Sequence, residues 1–181
     1  MGREVRKVPA DWQHPKNERD QYIPLYGRSY AKEAAEYDEE AAQWEKGLRA
    51  KTVFHDGGGW HNEWVPKDAD CEGMSFIEWH GKRPEEADYM PDWPDDQRTH
   101  LQMYEDTSEG TPISPVMETS EELARWLADN KASAFGGMTA TYDQWLSTIK
   151  RGFACSAVIT DGRFESGVAA LSAARGEEQK S

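Results

Sequence analysis

The chain has 181 residues and a formal net charge of -13, a balance that excludes an ordinary nucleic-acid binder, because phosphate backbones are held by Lys and Arg. Hydrophobic residues make up 37%, a low share for a globular protein, while eight Trp, seven Tyr and five Phe supply large anchors, so a small aromatic core is expected. No apolar run reaches the roughly 18 residues of a membrane span, no apolar signal core follows Met1 to Lys7, and Arg6 stands where myristoylation wants Ser or Thr.

Residues 1–28 carry Pro9, Pro15 and Pro24 among scattered aromatics, a pattern too punctuated for a helix, and are expected to form an extended N-terminal arm. Within it Asp11 and His14 lie three apart, a spacing that fits a local turn better than a catalytic pair. Residues 29–50 predict a long amphipathic helix of about five turns. Ser29 is its N-cap, Tyr30, Ala34, Tyr37, Ala41, Trp44 and Leu48 form one face, and Glu33, Glu36, Asp38, Glu39, Glu40 and Glu45 form the other.

Residues 51–98 read as an irregular, acidic, Pro-rich segment, with short strands around Val53 and from Phe76 to Trp79. Gly57-Gly58-Gly59 lacks the ending of a phosphate loop and reads as a flexible turn. His55, His61, Cys71 and His80 are the only set that could be pressed into a zinc site, but their gaps match no common structural pattern. No metal, cofactor or catalytic residue is therefore expected. Cys71 and Cys155 match no redox spacing, which points to a reducing compartment and no disulfide.

Residues 99–175 read as a small α+β domain with a small antiparallel sheet and packed helices. His100 to Glu105 alternates as a strand that runs into the turn-rich stretch Thr107 to Pro112. Thr119-Ser120-Glu121-Glu122 and Thr141-Tyr142-Asp143-Gln144 each have the form of a capping box, with Val116 or Met117 as a staple for the first and Gly152 as the stop for the second. Phe153 to Thr160 is β-prone, and Asp161-Gly162 marks a hairpin into Arg163 to Ser166. A last short helix is expected from Val168 to Ala174, and residues 176–181 as a disordered tail.

The strongest signal is electrostatic. Between Pro84 and Glu122 twelve acids face one base, Arg98, for a net of -11, so most of the chain's -13 is local. Glu85, Glu86, Asp88, Asp92, Asp95 and Asp96 surround Trp93, a pattern that could dock an aromatic anchor while presenting carboxylates at spacings comparable to backbone phosphates. A solvated acidic loop would have the same composition. The Tyr30 to Leu48 stripe also leaves room for a homodimer.

Met1-Gly2-Arg3-Glu4-Val5-Arg6-Lys7-Val8-Pro9 with Asp11-Trp12-Gln13-His14-Pro15, and the run from Gln102 through Glu109-Gly110-Thr111-Pro112-Ile113-Ser114-Pro115, resemble a family of uncharacterised bacteriophage and prophage proteins. The resemblance continues through Glu121 to Leu127 and Gly152 to Val158, covering both ends of the chain but not its middle. In similar proteins Trp often stands at the position of Phe153 and Pro at that of Cys155, which argues against a special thiol role for Cys155. The resemblance implies a phage setting and a cytoplasmic location in the host cell. By analogy with other small acidic phage proteins, the expected function is inhibition of a host defence system, of the anti-CRISPR or anti-restriction type, including nucleic-acid mimicry. The expected partner is a host protein with a basic, nucleic-acid-binding surface. It would be met by Glu85, Glu86, Asp88, Asp92, Trp93, Asp95 and Asp96 together with Glu36, Glu39 and Glu40 on the first helix, with no direct nucleic acid and no membrane. A phage structural or assembly component is the alternative, and a small metal-dependent enzyme using His55, His61 or His80 a second one.

Overall fold

The computed structural model describes residues 2–55, 58–106, 110–160 and 163–170. In chain order the elements are β1 (Arg3–Val8), α1 (Tyr30–Glu45), β2 (Leu48–His55), β3 (Gly59–Pro66), α2 (Phe76–His80), β4 (His100–Glu105), β5 (Thr111–Pro112), α3 (Ser120–Asp129), α4 (Tyr142–Arg151), β6 (Phe153–Ala154), β7 (Ala157–Thr160) and β8 (Arg163–Ser166). The fold is α+β, with a small antiparallel sheet packed against helices. The chain divides into two compact units, the first built from Met1–Gly27 and Pro91–Ser181 and the second from Arg28–Met90.

The first unit is organised by a four-stranded sheet of order β5-β4-β1-β6. The N-terminal stretch is therefore not all arm: β1 is an interior strand, antiparallel to β4 from Arg3↔Glu105 to Val8↔His100 and to β6 at Arg3↔Ala154. The prolines begin only at Pro9, and charges at buried positions on opposite faces, Arg3 and Arg6, disguise the strand. One sheet face, with Val5, Leu101 and Met103, meets α3 and α4 in a core of Leu123, Ala124, Leu127, Trp145, Ile149, Ala154 and Val168.

Both helices start by the expected device. Thr119 accepts from the Glu122 N–H at 3.1 Å while the Glu122 carboxylate accepts from the Thr119 N–H at 3.1 Å, and Thr141 and Gln144 repeat the exchange. α4 stops at Gly152, whose φ of 97° is left-handed and carries no penalty without a Cβ. Thr119→Ala should lower the unfolding free energy by about 1 kcal/mol, measured by urea unfolding, because it strands a helix-end donor. β7 and β8 pair from Ala157↔Ser166 to Thr160↔Arg163, as the hairpin signal required; the Asp161-Gly162 turn itself lies outside the described residues. The loop residues Thr107 to Glu109, the tail and most of the expected last helix lie there too, although Gly167 to Ala170 are helical.

In the second unit α1 is 16 residues long, capped by Ser29, and buries Ala34, Tyr37 and Trp44 as its periodicity predicts. It ends earlier than expected. Gly47 takes φ 81° and its N–H bonds to the Trp44 carbonyl, so Leu48 opens β2 instead of closing the helix face. Tyr37, Trp44, Cys71 and Phe76 then form a small aromatic core. Residues 51–98 are also more ordered than expected. They contain most of the β2–β3 hairpin, and the stretch from Phe76 is a helix rather than a strand, because Ser75 and Glu78 make a capping box that the short run concealed.

Candidate functional site

The acidic segment crosses from one unit to the other, and its residues are taken unit by unit. In the second unit Glu85, Glu86 and Asp88 sit on and beside a single 3-10 turn, all exposed. On α1 of the same unit Glu36 and Glu39 are exposed, while Glu40 is half-buried with its carboxylate 3.3 Å from His80. Lys32 lies 3.7 Å from Glu36, and Arg83 spans Asp38 and the Tyr30 hydroxyl, bonds that hold the Asp38 carboxyl below the usual range. In the first unit Asp92, Asp95 and Asp96 are exposed, and Asp95 is paired with Arg98. Trp93 is half-buried and meets Trp12 edge-on at 4.7 Å between ring centroids, a contact that anchors its own segment to the unit.

Beneath Trp12, on the sheet face opposite the helices, lies a buried polar network. The Arg6 guanidinium stands 4.3 Å over the Tyr104 ring, pairs with Glu4 at 2.9 Å and donates to the Leu25 carbonyl at 2.7 Å. Gln102 donates to the Ser114 carbonyl, which commits its oxygen to the Tyr104 hydroxyl at 2.7 Å. The Trp12 indole donates to that hydroxyl at 3.1 Å, and burial pushes the phenol up to about 12. His14 points into this network and away from Asp11, which is exposed, so the two make no catalytic pair. Its Nε2 lies 2.6 Å from the Ile23 carbonyl, which can only accept, so Nδ1 is bare in the neutral ring, 3.3 Å from the Tyr104 oxygen.

Burial holds the His14 imidazole below its ordinary value of 6.5; the Ile23 carbonyl opposes the shift and the Arg6 charge adds to it. Below pH 6.5 and down to the folded value, the unfolded chain takes up a proton that the folded one refuses, so stability falls as pH drops through that window. The contribution of this imidazole should therefore lower urea midpoints as the pH drops below about 6.5, and that contribution should vanish in His14→Gln. A groove of about 400 Å³ runs alongside, lined by Trp12, His14, Lys16, Tyr22, Gln102 and Ser114. Its buried polar side chains are committed to one another, and the network reads as a polar core beneath the surface.

The zinc candidates are not brought together. His61 bonds Glu63 at 3.0 Å, His80 stacks on Phe76, and Cys71 is buried against the aromatic core, where burial raises its thiol pKa; the His55 side chain lies outside the described residues. Among the described residues no group of three or more His, Cys, Asp or Glu side chains could hold a metal ion. Cys155 is an exposed free thiol and Cys71 a buried one. Gly58, from the glycine run, takes φ 88° where β3 begins, while Gly57 lies outside the described residues.

The sequence reading placed a short strand around Val53, which lies in β2, but missed β3 and the ribbon that the two strands form. Its register places Phe54 opposite Trp60, Thr52 opposite Asn62 and Ala50 opposite Trp64, so one face carries three large aromatics. Phe54 is 57% exposed, Trp60 72% and Trp64 38%. The alternation of Trp60, Asn62 and Trp64 against His61, Glu63 and Val65 was the available signal. No helix among the described residues is long and apolar enough to cross a membrane. No family model matches the chain, and no curated protein or solved structure shows significant similarity to it.

Proposed function

We propose that the protein is a phage-encoded inhibitor of a host defence system, of the anti-CRISPR or anti-restriction type, which binds a host protein at a basic, nucleic-acid-binding surface. The observation that carries this reading is the state of the six carboxylates between Glu85 and Asp96. All six are exposed, and all but Asp95 lack an ion-pair partner among the described residues. Exposed carboxylates without counter-ions at this density are what a surface competing with phosphates would present. The phage resemblance of the two ends of the chain supplies the setting.

Affinity purification from an infected or lysogenic host identifies the partner. Binding should weaken steeply with salt, and reversal of Asp92, Asp95 and Asp96 to Lys should reduce affinity by about a hundredfold through slower association and lost contacts. Unchanged affinity in that triple variant would refute the electrostatic account.

A further inference from the structure

Among the described residues no third strand pairs with this two-stranded ribbon, and an open edge is a template for another strand. In this hairpin β2 also contacts α1, while every residue of β3 except Val65 is exposed. Three features of β3 make that edge complementary to itself. Two copies related by a two-fold axis perpendicular to the sheet and passing through Asn62 bring Trp60 of one copy opposite Trp64 of the other. They also set His61, which within each copy already bonds Glu63 at 3.0 Å, opposite the other copy's Glu63, so that the charges alternate around the axis, and Asn62 opposite Asn62. The tryptophans then meet on the aromatic face, beside Phe54, and the imidazole and carboxylate meet on the other.

No neighbouring register does this. Side chains alternate between faces, so a two-fold pairing that keeps the aromatic faces together can shift its axis only to His61 or Glu63. The first sets imidazole against imidazole and leaves Trp60 opposite Asn62; the second sets carboxylate against carboxylate and runs Trp60 into Pro66. Only the axis at Asn62 joins opposite charges and like aromatics together. We infer that β3 is a self-association edge, through which two copies form a continuous four-stranded antiparallel sheet of order β2-β3-β3-β2. The exposed aromatics of each ribbon would become one shared row. This pairing is independent of the host partner proposed above, since it uses none of the acidic residues assigned to it.

Sedimentation of the full chain over a range of concentrations tests the inference. The native protein should show a reversible monomer-dimer equilibrium. Glu63→Lys, a change at an exposed position, should raise the dimer dissociation constant about tenfold, because the altered pair occurs twice across the axis. Adding His61→Glu to Glu63→Lys restores opposite charges at the same pair and should recover the native constant. In a Cys155→Ser background, Asn62→Cys should form a disulfide-linked dimer on mild oxidation, and Thr52→Cys on β2 should not. A chain that stays monomeric at every concentration overturns the inference. So does a dimer unmoved by Glu63→Lys, or equal cross-linking from positions 52 and 62.

Discussion

Replacing Arg3 with methionine is expected to lower the unfolding free energy by about 3 to 5 kcal/mol, measured by urea unfolding at neutral pH. Arg3 is 1% exposed and lies in an interior strand. Its Nε donates to the Ser133 carbonyl at 2.8 Å, one terminal nitrogen to the Gly2 carbonyl at 2.9 Å, and the other to the Ser133 hydroxyl at 3.3 Å, with Glu105 3.8 Å away. Burial lowers the guanidinium pKa and the Glu105 charge opposes that shift, but an arginine remains charged under any condition in which the protein folds. Methionine preserves much of the volume, so the loss isolates the uncompensated Glu105 carboxylate and the orphaned carbonyls. Arg3→Met combined with Glu105→Gln should recover part of it, because the stranded charge is then gone.

The second large effect is expected at Trp145. It is fully buried at the centre of the core, and Trp145→Ala should cost about 3 to 5 kcal/mol through lost burial and the cavity left behind. Trp145→Phe should cost far less, about 1 kcal/mol. The indole nitrogen has no hydrogen-bond partner among the described residues, so phenylalanine removes a buried donor that was never satisfied and thereby offsets part of the missing volume. If the two variants were equally unstable, the indole nitrogen would have to be contributing a bond of its own.

What the sequence revealed and what it concealed divide along physical lines. Capping boxes are local, involving residues three apart, and Thr119, Thr141 and the Gly152 stop could each be read directly. The buried stripe of α1 was legible for the same reason, since a 3.6-residue period is written in one segment. β1 was hidden because its neighbours lie about 100 and about 150 positions away in the chain, and because its buried charges are satisfied partly by distant groups, Ser133 for Arg3 and the Leu25 carbonyl for Arg6. Of the hairpin, the strand around Val53 was legible and its partner was hidden by composition, since β3 mixes Trp with His, Asn and Glu and buries almost nothing. For the candidate surfaces, exposure of the carboxylates followed from their charge. The burial of Trp93 did not, since it depends on Trp12, which only the return of the chain onto the sheet brings near.

The order of the two units along the chain sets an order in time. The second unit is continuous, Arg28–Met90, and has a complete set of local partners as soon as it leaves the ribosome. The first unit is interrupted by it. β1 precedes the insert in the chain, yet its neighbours β4 and β6 follow only after His100 and Phe153 have been made. Closing so long a loop carries an entropic penalty that grows with its length, and a prefolded insert shortens the effective span. β1 is thus made well before both of its neighbours, and until they follow its unpaired main chain is open to proteases and to pairing with other chains.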